Sequence, residues 1–146
     1  MANSKLEGLH PDLVKVVIEA INQGKASFLV TEGLRTKERQ EKLVASGASK
    51  TMNSRHLTGH AVDLAAVVDG AISWDWPLYH KLAEAIRDAA NAVGVEITWG
   101  GVWDKPLNEI KNPEKEMTLY SERMRKLGKR PFADGPHFEL SRRRYS

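Results

Sequence analysis

An acidic residue interrupts the most apolar run of the sequence, and this is the first sign of a chemical site. Asp63 lies within residues 61–68, whose other members are all apolar. A carboxylate buried without a partner is strongly destabilising, so Asp63 needs one. A loop hydrogen bond or an arginine is the ordinary partner of such an aspartate, and a metal ion is the strongest.

Two histidines supply the residue types that a metal site requires. His56 precedes Asp63, and His137 follows Pro136 far downstream. Two imidazole nitrogens and one carboxylate oxygen match catalytic zinc, which is held by three protein ligands and keeps a position open for water. Cysteine is absent, which excludes a thiolate site and a disulfide framework. We therefore predict that His56, Asp63 and His137 hold zinc.

An acidic residue also lies next to the downstream ligand. Asp134 is three residues before His137, across a tight turn that contains Gly135 and Pro136. This spacing places a carboxylate beside the metal, where it can accept a proton from water. We predict that Asp134 is the general base.

The remaining histidines have weaker claims to a chemical role. His56 and His60 have the four-residue spacing of helical zinc motifs. Gly59 interrupts that turn, and the catalytic Glu of such motifs is missing. We therefore interpret His60 as a loop residue that at most supports the ligands, and His10 and His80 as structural residues.

Helices and short strands alternate along the chain and must position these residues. Helices are predicted from Pro11 to Gly24, Thr36 to Gly47, Leu78 to Gly94 and Asn112 to Gly128. Strands are predicted over residues 26–31, 61–68, 95–99 and 137–141. Because the strands are few and short, we predict an α+β fold in which helices cover a small, mainly antiparallel sheet.

The composition describes a single domain, residues 1–146. The chain is 41% hydrophobic and 28% charged, and no stretch approaches the roughly 18 apolar residues of a membrane-spanning helix. The amino terminus lacks the apolar core of a signal peptide. Residues 121–146 carry eight Lys or Arg against three acidic residues. This basic tail favours an anionic surface as partner, or is simply solvated.

The residues quoted so far resemble the motifs of a known family. A Ser-x-His-x-x-Gly-x-Ala-x-Asp segment (54–63) and a downstream Asp-x-x-His segment (134–137) are similar to the zinc D-Ala-D-Ala carboxypeptidase/dipeptidase family. That family includes bacteriophage L-alanyl-D-glutamate endopeptidases, or endolysins. Residues 31–36 resemble its Gly-x-Arg-Ser/Thr segment, and the Trp-Gly-Gly-x-Trp cassette (99–103) is most similar to the endopeptidase branch. The resemblance implies the compact fold shared with the Hedgehog signalling domain.

The resemblance implies roles for further residues. Arg35 would stabilise the oxyanion of the scissile carbonyl or hold a substrate carboxylate. Ser54 would hydrogen-bond the substrate or cap its own loop. Asp134 replaces an acidic base that is often Glu in relatives. Trp99 and Trp103 would line the cleft or pack in the core.

The function implied is zinc-dependent hydrolysis of the L-Ala–D-Glu bond of peptidoglycan stem peptides. Such a phage enzyme would be made in the host cytoplasm and reach the cell wall once the membrane is permeabilised. A D,D-carboxypeptidase that trims terminal D-Ala is one alternative, and an inactive zinc-stabilised binding module is another. We expect a monomer, an anionic envelope lipid as a further partner of the basic tail, and no nucleic-acid partner, because residues 1–120 are net acidic.

Overall fold

A five-stranded sheet forms the frame of the molecule. The computed structural model describes residues 5–49, 52 and 54–145. The strands are β1 (Phe28–Glu32), β2 (Ala61–Val68), β3 (Ala71–Ser73), β4 (Ile97–Trp99) and β5 (His137–Leu140). Their order is β1-β2-β5-β4, β3 pairs with the end of β2, and every pair is antiparallel. The predicted α+β fold is confirmed.

Four α-helices surround the sheet: α1 (Pro11–Gln23), α2 (Lys37–Ala45), α3 (Trp76–Val93) and α4 (Pro113–Lys126). The predicted caps are present, because Thr36 Oγ1 accepts a hydrogen bond from the Arg39 amide at 3.1 Å and Asn112 Oδ1 accepts one from Lys115. Short 3₁₀ helices span Arg55–Thr58 and Leu107–Glu109.

Several predicted element bounds are wrong by one or two residues. Helix α3 begins at Trp76 rather than Leu78, with a proline in its first turn. Strand β4 begins at Ile97 rather than Val95, because the Val95 amide donates to Ala90 and helps to close α3. Strands β1 and β5 span 28–32 and 137–140 instead of 26–31 and 137–141. The short strand β3 was not predicted.

The hydrophobic core lies on one face of the sheet, beneath α1 and α3. Strand alternation sends Val62, Leu64, Phe138 and Leu140 into this core, where each is at most 1% exposed. The helices contribute a stripe of apolar residues at helical spacing. Its fully buried members include Leu13, Val16, Val17, Leu82, Ile86 and Ala89. The opposite face carries the polar side chains of Asp63, His137 and Glu139.

A β-bulge aligns the polar residues of that second face. Val30 pairs with Leu64, but Glu32 pairs with Asp63, so Thr31 is an extra residue in β1. Asp63 pairs with His137 on its other side. Glu32, Asp63 and His137 therefore form one row across three strands, and cross-strand partners in such a row point to the same face.

The backbone at the end of the basic C-terminal segment is tied to the domain, while the side chains of Arg142, Arg143 and Arg144 are exposed. Arg55 Nη2 donates to the carbonyl oxygens of Leu140 and Tyr145, at 3.1 and 2.8 Å. The Tyr145 hydroxyl donates to Asp12 Oδ2 at 2.7 Å. Among the residues described, no helix has the length and apolar character needed to cross a membrane.

Candidate metal centre

A cleft of about 550 Å³ lies over the polar row of the sheet. Its floor contains Asp63 and His137 from the strands and His56 from the first 3₁₀ helix. Asp134 and Arg35 also line it. The fold thus brings all three predicted zinc ligands, the predicted base and the predicted arginine into one cavity.

The three predicted ligands surround a common point. One ligand atom from each of His56, Asp63 and His137 lies within 4.8 Å of the other two. Asp63 Oδ1 is central, at 3.3 Å from His56 Nε2 and 3.4 Å from His137 Nδ1. Both imidazoles are buried, at 2% and 8% exposure.

The outer ring nitrogens decide which atoms face the centre. His56 Nδ1 lies 2.9 Å from the Gly33 carbonyl oxygen, and His137 Nε2 lies 2.8 Å from Glu139 Oε1. These oxygens only accept hydrogen bonds, so each outer nitrogen carries the proton. The inner nitrogens of the neutral rings therefore turn lone pairs toward the Asp63 carboxylate.

This arrangement fits a cation. Asp63 Oδ1 is buried and has no hydrogen-bond partner among the described residues, although two nitrogens flank it. Three lone-pair atoms facing one another repel unless a positive charge lies between them. Two imidazoles oriented by outer hydrogen-bond partners, with one carboxylate, form the donor set of a catalytic zinc site.

The pKa values of Asp63 and His137 also favour positive charge at the centre. Burial by itself would raise the pKa of Asp63, but the two imidazoles hold it well below its usual range. Burial would lower the pKa of His137, but the carboxylates of Asp63 and Glu139 raise it to about 9. Both shifts reflect a centre in which negative charge favours a bound cation.

A short 3₁₀ helix positions His56. Ser54 Oγ accepts a hydrogen bond from the His56 amide at 3.2 Å, and Gly59 ends the turn with φ of 74°. The Arg35 amide donates to the His56 carbonyl at 2.9 Å and ties this turn to the end of β1. Ser54 thus caps its own loop, one of its two predicted roles. It also lines the cleft, and its substrate contact stays a prediction.

The loop before β5 holds Asp134 at the cleft. Its amide donates to the Gly100 carbonyl at 2.8 Å, and its own carbonyl accepts from the His137 amide at 3.2 Å. A β-carbon on Gly100 would overlap the Asp134 carbonyl oxygen, so only glycine permits this approach. Burial raises the pKa of Asp134, as expected for a carboxylate that must accept a proton near neutral pH.

Arg35 is fixed by two residues that were not predicted to belong to the site. Its Nε donates to Glu32 Oε1 at 2.8 Å and its Nη1 to Gln40 Oε1 at 2.7 Å. Its Nη2 faces the centre, 3.8 Å from Asp63 Oδ2. Glu32 three residues before Arg35 was a usable signal, since acidic and basic residues at this spacing often pair. Nothing in the sequence marked Gln40, which is fully buried in α2.

The other histidines have local structural contacts. His60 Nδ1 lies 2.7 Å from Thr58 Oγ1, and the residue does not line the cleft. His10 Nδ1 accepts from the Asp12 amide and caps α1. His80 stacks on Trp76.

The two tryptophans of the 99–103 cassette have different environments. Trp99 is fully buried, and its Nε1 donates to the Gly135 carbonyl at 2.9 Å, which steadies the Asp134 loop. Trp103 lines the cleft, and its ring centroid lies 5.1 Å from that of His137. Trp99 therefore packs in the core, and Trp103 lines the cleft.

Comparison with known proteins identifies the family. The chain is 27% identical over 107 residues to the L-alanyl-D-glutamate peptidase of Escherichia phage T5. The aligned region covers 70% of this chain and 78% of that protein. The chain is 39% identical over 75 residues to the L-alanyl-D-glutamate peptidase of Listeria phage A118, covering 51% of this chain and 26% of the other.

The fold has a solved relative of the same type. The crystal structure of the Serratia marcescens L-Ala D-Glu endopeptidase ChiX matches with a TM-score of 0.74 and 38% identity, over 99% of this chain and 89% of that one. The family profile described as phage L-alanyl-D-glutamate peptidase matches residues 1–141. The chain therefore belongs to the phage L-alanyl-D-glutamate peptidase family, a family of peptidases.

Proposed function

We propose that this protein is a zinc-dependent endopeptidase that hydrolyses the L-Ala–D-Glu bond of peptidoglycan stem peptides. One observation carries the proposal: the Asp63 carboxylate lies between two inward-facing imidazole nitrogens at the floor of an open cleft. Membership of a family described by this activity supplies the substrate. As a phage lysis enzyme, it would act on the wall of the host cell.

His56 Nε2, Asp63 Oδ1 and His137 Nδ1 would hold the zinc ion. Bound zinc lowers the pKa of water to about 7 and polarises a carbonyl oxygen. The protein keeps these ligands ready because each ring donates an outer hydrogen bond, His56 to the Gly33 carbonyl and His137 to the Glu139 carboxylate, which holds each ring in the tautomer that a metal needs.

Asp134 moves the proton in this proposal. Its carboxylate accepts a proton from the attacking water as the oxygen adds to the scissile carbonyl carbon. It then returns the proton to the nitrogen as the carbon–nitrogen bond breaks and the amine leaves. The raised pKa of Asp134, caused by burial, makes it a stronger base than an exposed aspartate.

Arg35 stabilises the negative charge that develops on the carbonyl oxygen. Its guanidinium is always charged, and Glu32 and Gln40 fix two of its nitrogens, so Nη2 faces the centre without reorganisation. Ser54 lines the same cleft and would add a hydrogen bond to the peptide backbone.

Digestion of purified sacculi tests the proposal. We expect new amino-terminal D-Glu, and loss of its release after zinc removal. Release of terminal D-Ala would instead support a D,D-carboxypeptidase, and absence of any hydrolysis would support a binding module. Asp134→Asn should retain zinc and the fold but lose activity by about 10²- to 10⁴-fold. Unchanged activity in that variant would remove Asp134 from its role.

A further inference from the structure

We propose that Arg142 binds the free carboxylate of the D-Glu residue next to the scissile bond and selects substrates that carry this charge. This inference rests on the proposed function, since the D-Glu side of the bond is taken from it. The family resemblance implies that Arg35 binds either the oxyanion or a substrate carboxylate. The structure favours a division of these tasks between two arginines.

The described arginines around the cleft differ in how their donors are used. Arg35 is 8% exposed in its side chain, and Glu32 and Gln40 occupy its Nε and Nη1. Arg55 donates through Nη2 to two backbone carbonyls, and burial lowers its pKa. The Arg35 guanidinium is thus directed at the metal centre, and the Arg55 guanidinium is held by the C-terminal backbone with its Nε buried.

Arg142, in contrast, is exposed and only weakly paired. Its side chain is 68% exposed, and its ion-pair contact is a long one, 3.5 Å from Nε to Glu139 Oε2. The adjacent Arg143 is paired through two nitrogens with Glu96. Among the described arginines at the cleft, Arg142 thus keeps its terminal nitrogens for a planar, bidentate contact with a carboxylate.

The position of Arg142 matches the path of an extended substrate. It lines the cleft over the metal centre and also a neighbouring cavity of about 320 Å³, together with Trp103 and Glu139. The two cavities therefore meet at Arg142. A peptide whose scissile bond lies over the centre, and whose chain continues into the second cavity, passes this guanidinium.

Charge explains why a cation is needed at this point. Glu139 lines both cavities and would repel a substrate carboxylate. Hydrolysis of an L-Ala–D-Glu bond leaves an amine on D-Glu, and this residue carries its own carboxylate beside that nitrogen. Arg142 lies next to Glu139 and offsets the repulsion at the place where the substrate carboxylate arrives.

Two synthetic stem peptides test the inference. They share one sequence, but one carries the D-Glu carboxylate beside the scissile bond and the other carries a carboxamide. We expect the zinc-loaded wild-type protein to cleave the carboxylate peptide about tenfold or more faster in kcat/KM, since the carboxamide replaces an ion pair by a contact between a charged and a neutral group. Arg142→Gln should lose this preference mainly through KM, and Arg142→Lys should recover part of it.

Arg144→Gln is the matched control. It removes the same charge two residues away, where the side chain is 67% exposed and lines neither cavity. We expect its kinetics to equal those of the wild-type protein. Calorimetric binding of a product peptide with amino-terminal D-Glu should weaken about tenfold or more in Arg142→Gln and stay unchanged in Arg144→Gln.

Two results would overturn the inference. One is an Arg142→Gln protein that retains the carboxylate preference. The other is an equal loss of kcat on both peptides, which would mean that Arg142 acts through Glu139 rather than on the substrate. If the wild-type protein cleaves neither peptide, the proposed function fails, and the binding comparison still decides whether Arg142 holds a carboxylate.

Discussion

Glu139 Oε1 lies 2.8 Å from Nε2 of His137, on the same face of β5 and two residues further along the strand. Glu139 is 3% exposed, so this pair is shielded from water. A carboxylate in this position fixes the ring tautomer and increases the basicity of Nδ1, the nitrogen that faces Asp63. The relationship links strand alternation directly to the metal centre.

Glu139→Gln should weaken zinc binding. The amide preserves the volume and its oxygen can still accept a hydrogen bond from Nε2–H, so the fold should be retained, but the negative charge is lost. We expect zinc affinity to fall about 10- to 100-fold, measured by competition with a chelator of known affinity. Glu122→Gln, an exposed site on α4, is the control. Equal zinc affinity in both variants would show that Glu139 does not tune the ligand.

The effect of pH on stability should depend on zinc. With its pKa raised to about 9, protonated His137 stabilises the zinc-free fold below pH 6.5, and this contribution disappears as pH rises through 9. Zinc needs the deprotonated ring, so its binding strengthens over the same interval. At a free zinc concentration fixed by a metal buffer, the Tm gap between zinc-loaded and zinc-free protein should widen from pH 6.5 to 9. A Tm gap that narrows over this pH range would contradict the proposed binding of zinc by His137.

Gly100→Ala should damage catalysis more than metal binding. The new methyl group would push against the Asp134 carbonyl and displace the base. A displacement of about 1 Å at a catalytic group lowers rates by about 100-fold, which we expect here in kcat, with one zinc still bound.

Gly128→Ala controls for a loss of stability without movement of the site. Its φ of 71° strains an alanine by about 1–2 kcal/mol, but its β-carbon would meet open space. We expect a lower Tm and normal activity per folded molecule. If Gly100→Ala behaves in the same way, the position of Asp134 does not depend on Gly100.

Local patterns predicted much of the fold and the polar face of the site. The period of two in residues 137–140 correctly separated His137 and Glu139 from the apolar Phe138 and Leu140. Capping residues and closing glycines marked the helices, because their signals act within one turn. The family resemblance inferred from the motifs is also confirmed by the comparisons.

The parts that were missed depend on contacts between distant segments. The bulge at Thr31 brings Glu32 beside Asp63, and a bulge is set by pairing with another strand rather than by its own residues. Buried Gln40 joins the site because α2 packs over Arg35. The roles assigned to the site residues, the expected lipid partner, the monomeric state and the location in the cell stay predictions.

Metal analysis of the purified protein tests most directly whether His56, Asp63 and His137 bind one zinc ion. After dialysis into metal-free buffer, elemental analysis should find one zinc per chain in the wild-type protein and in His60→Ala, whose side chain lies outside the cleft. His137→Ala should be folded, as judged by circular dichroism, and free of zinc. A wild-type protein that is active without metal, or a His137→Ala protein that retains one zinc per chain, would contradict the account.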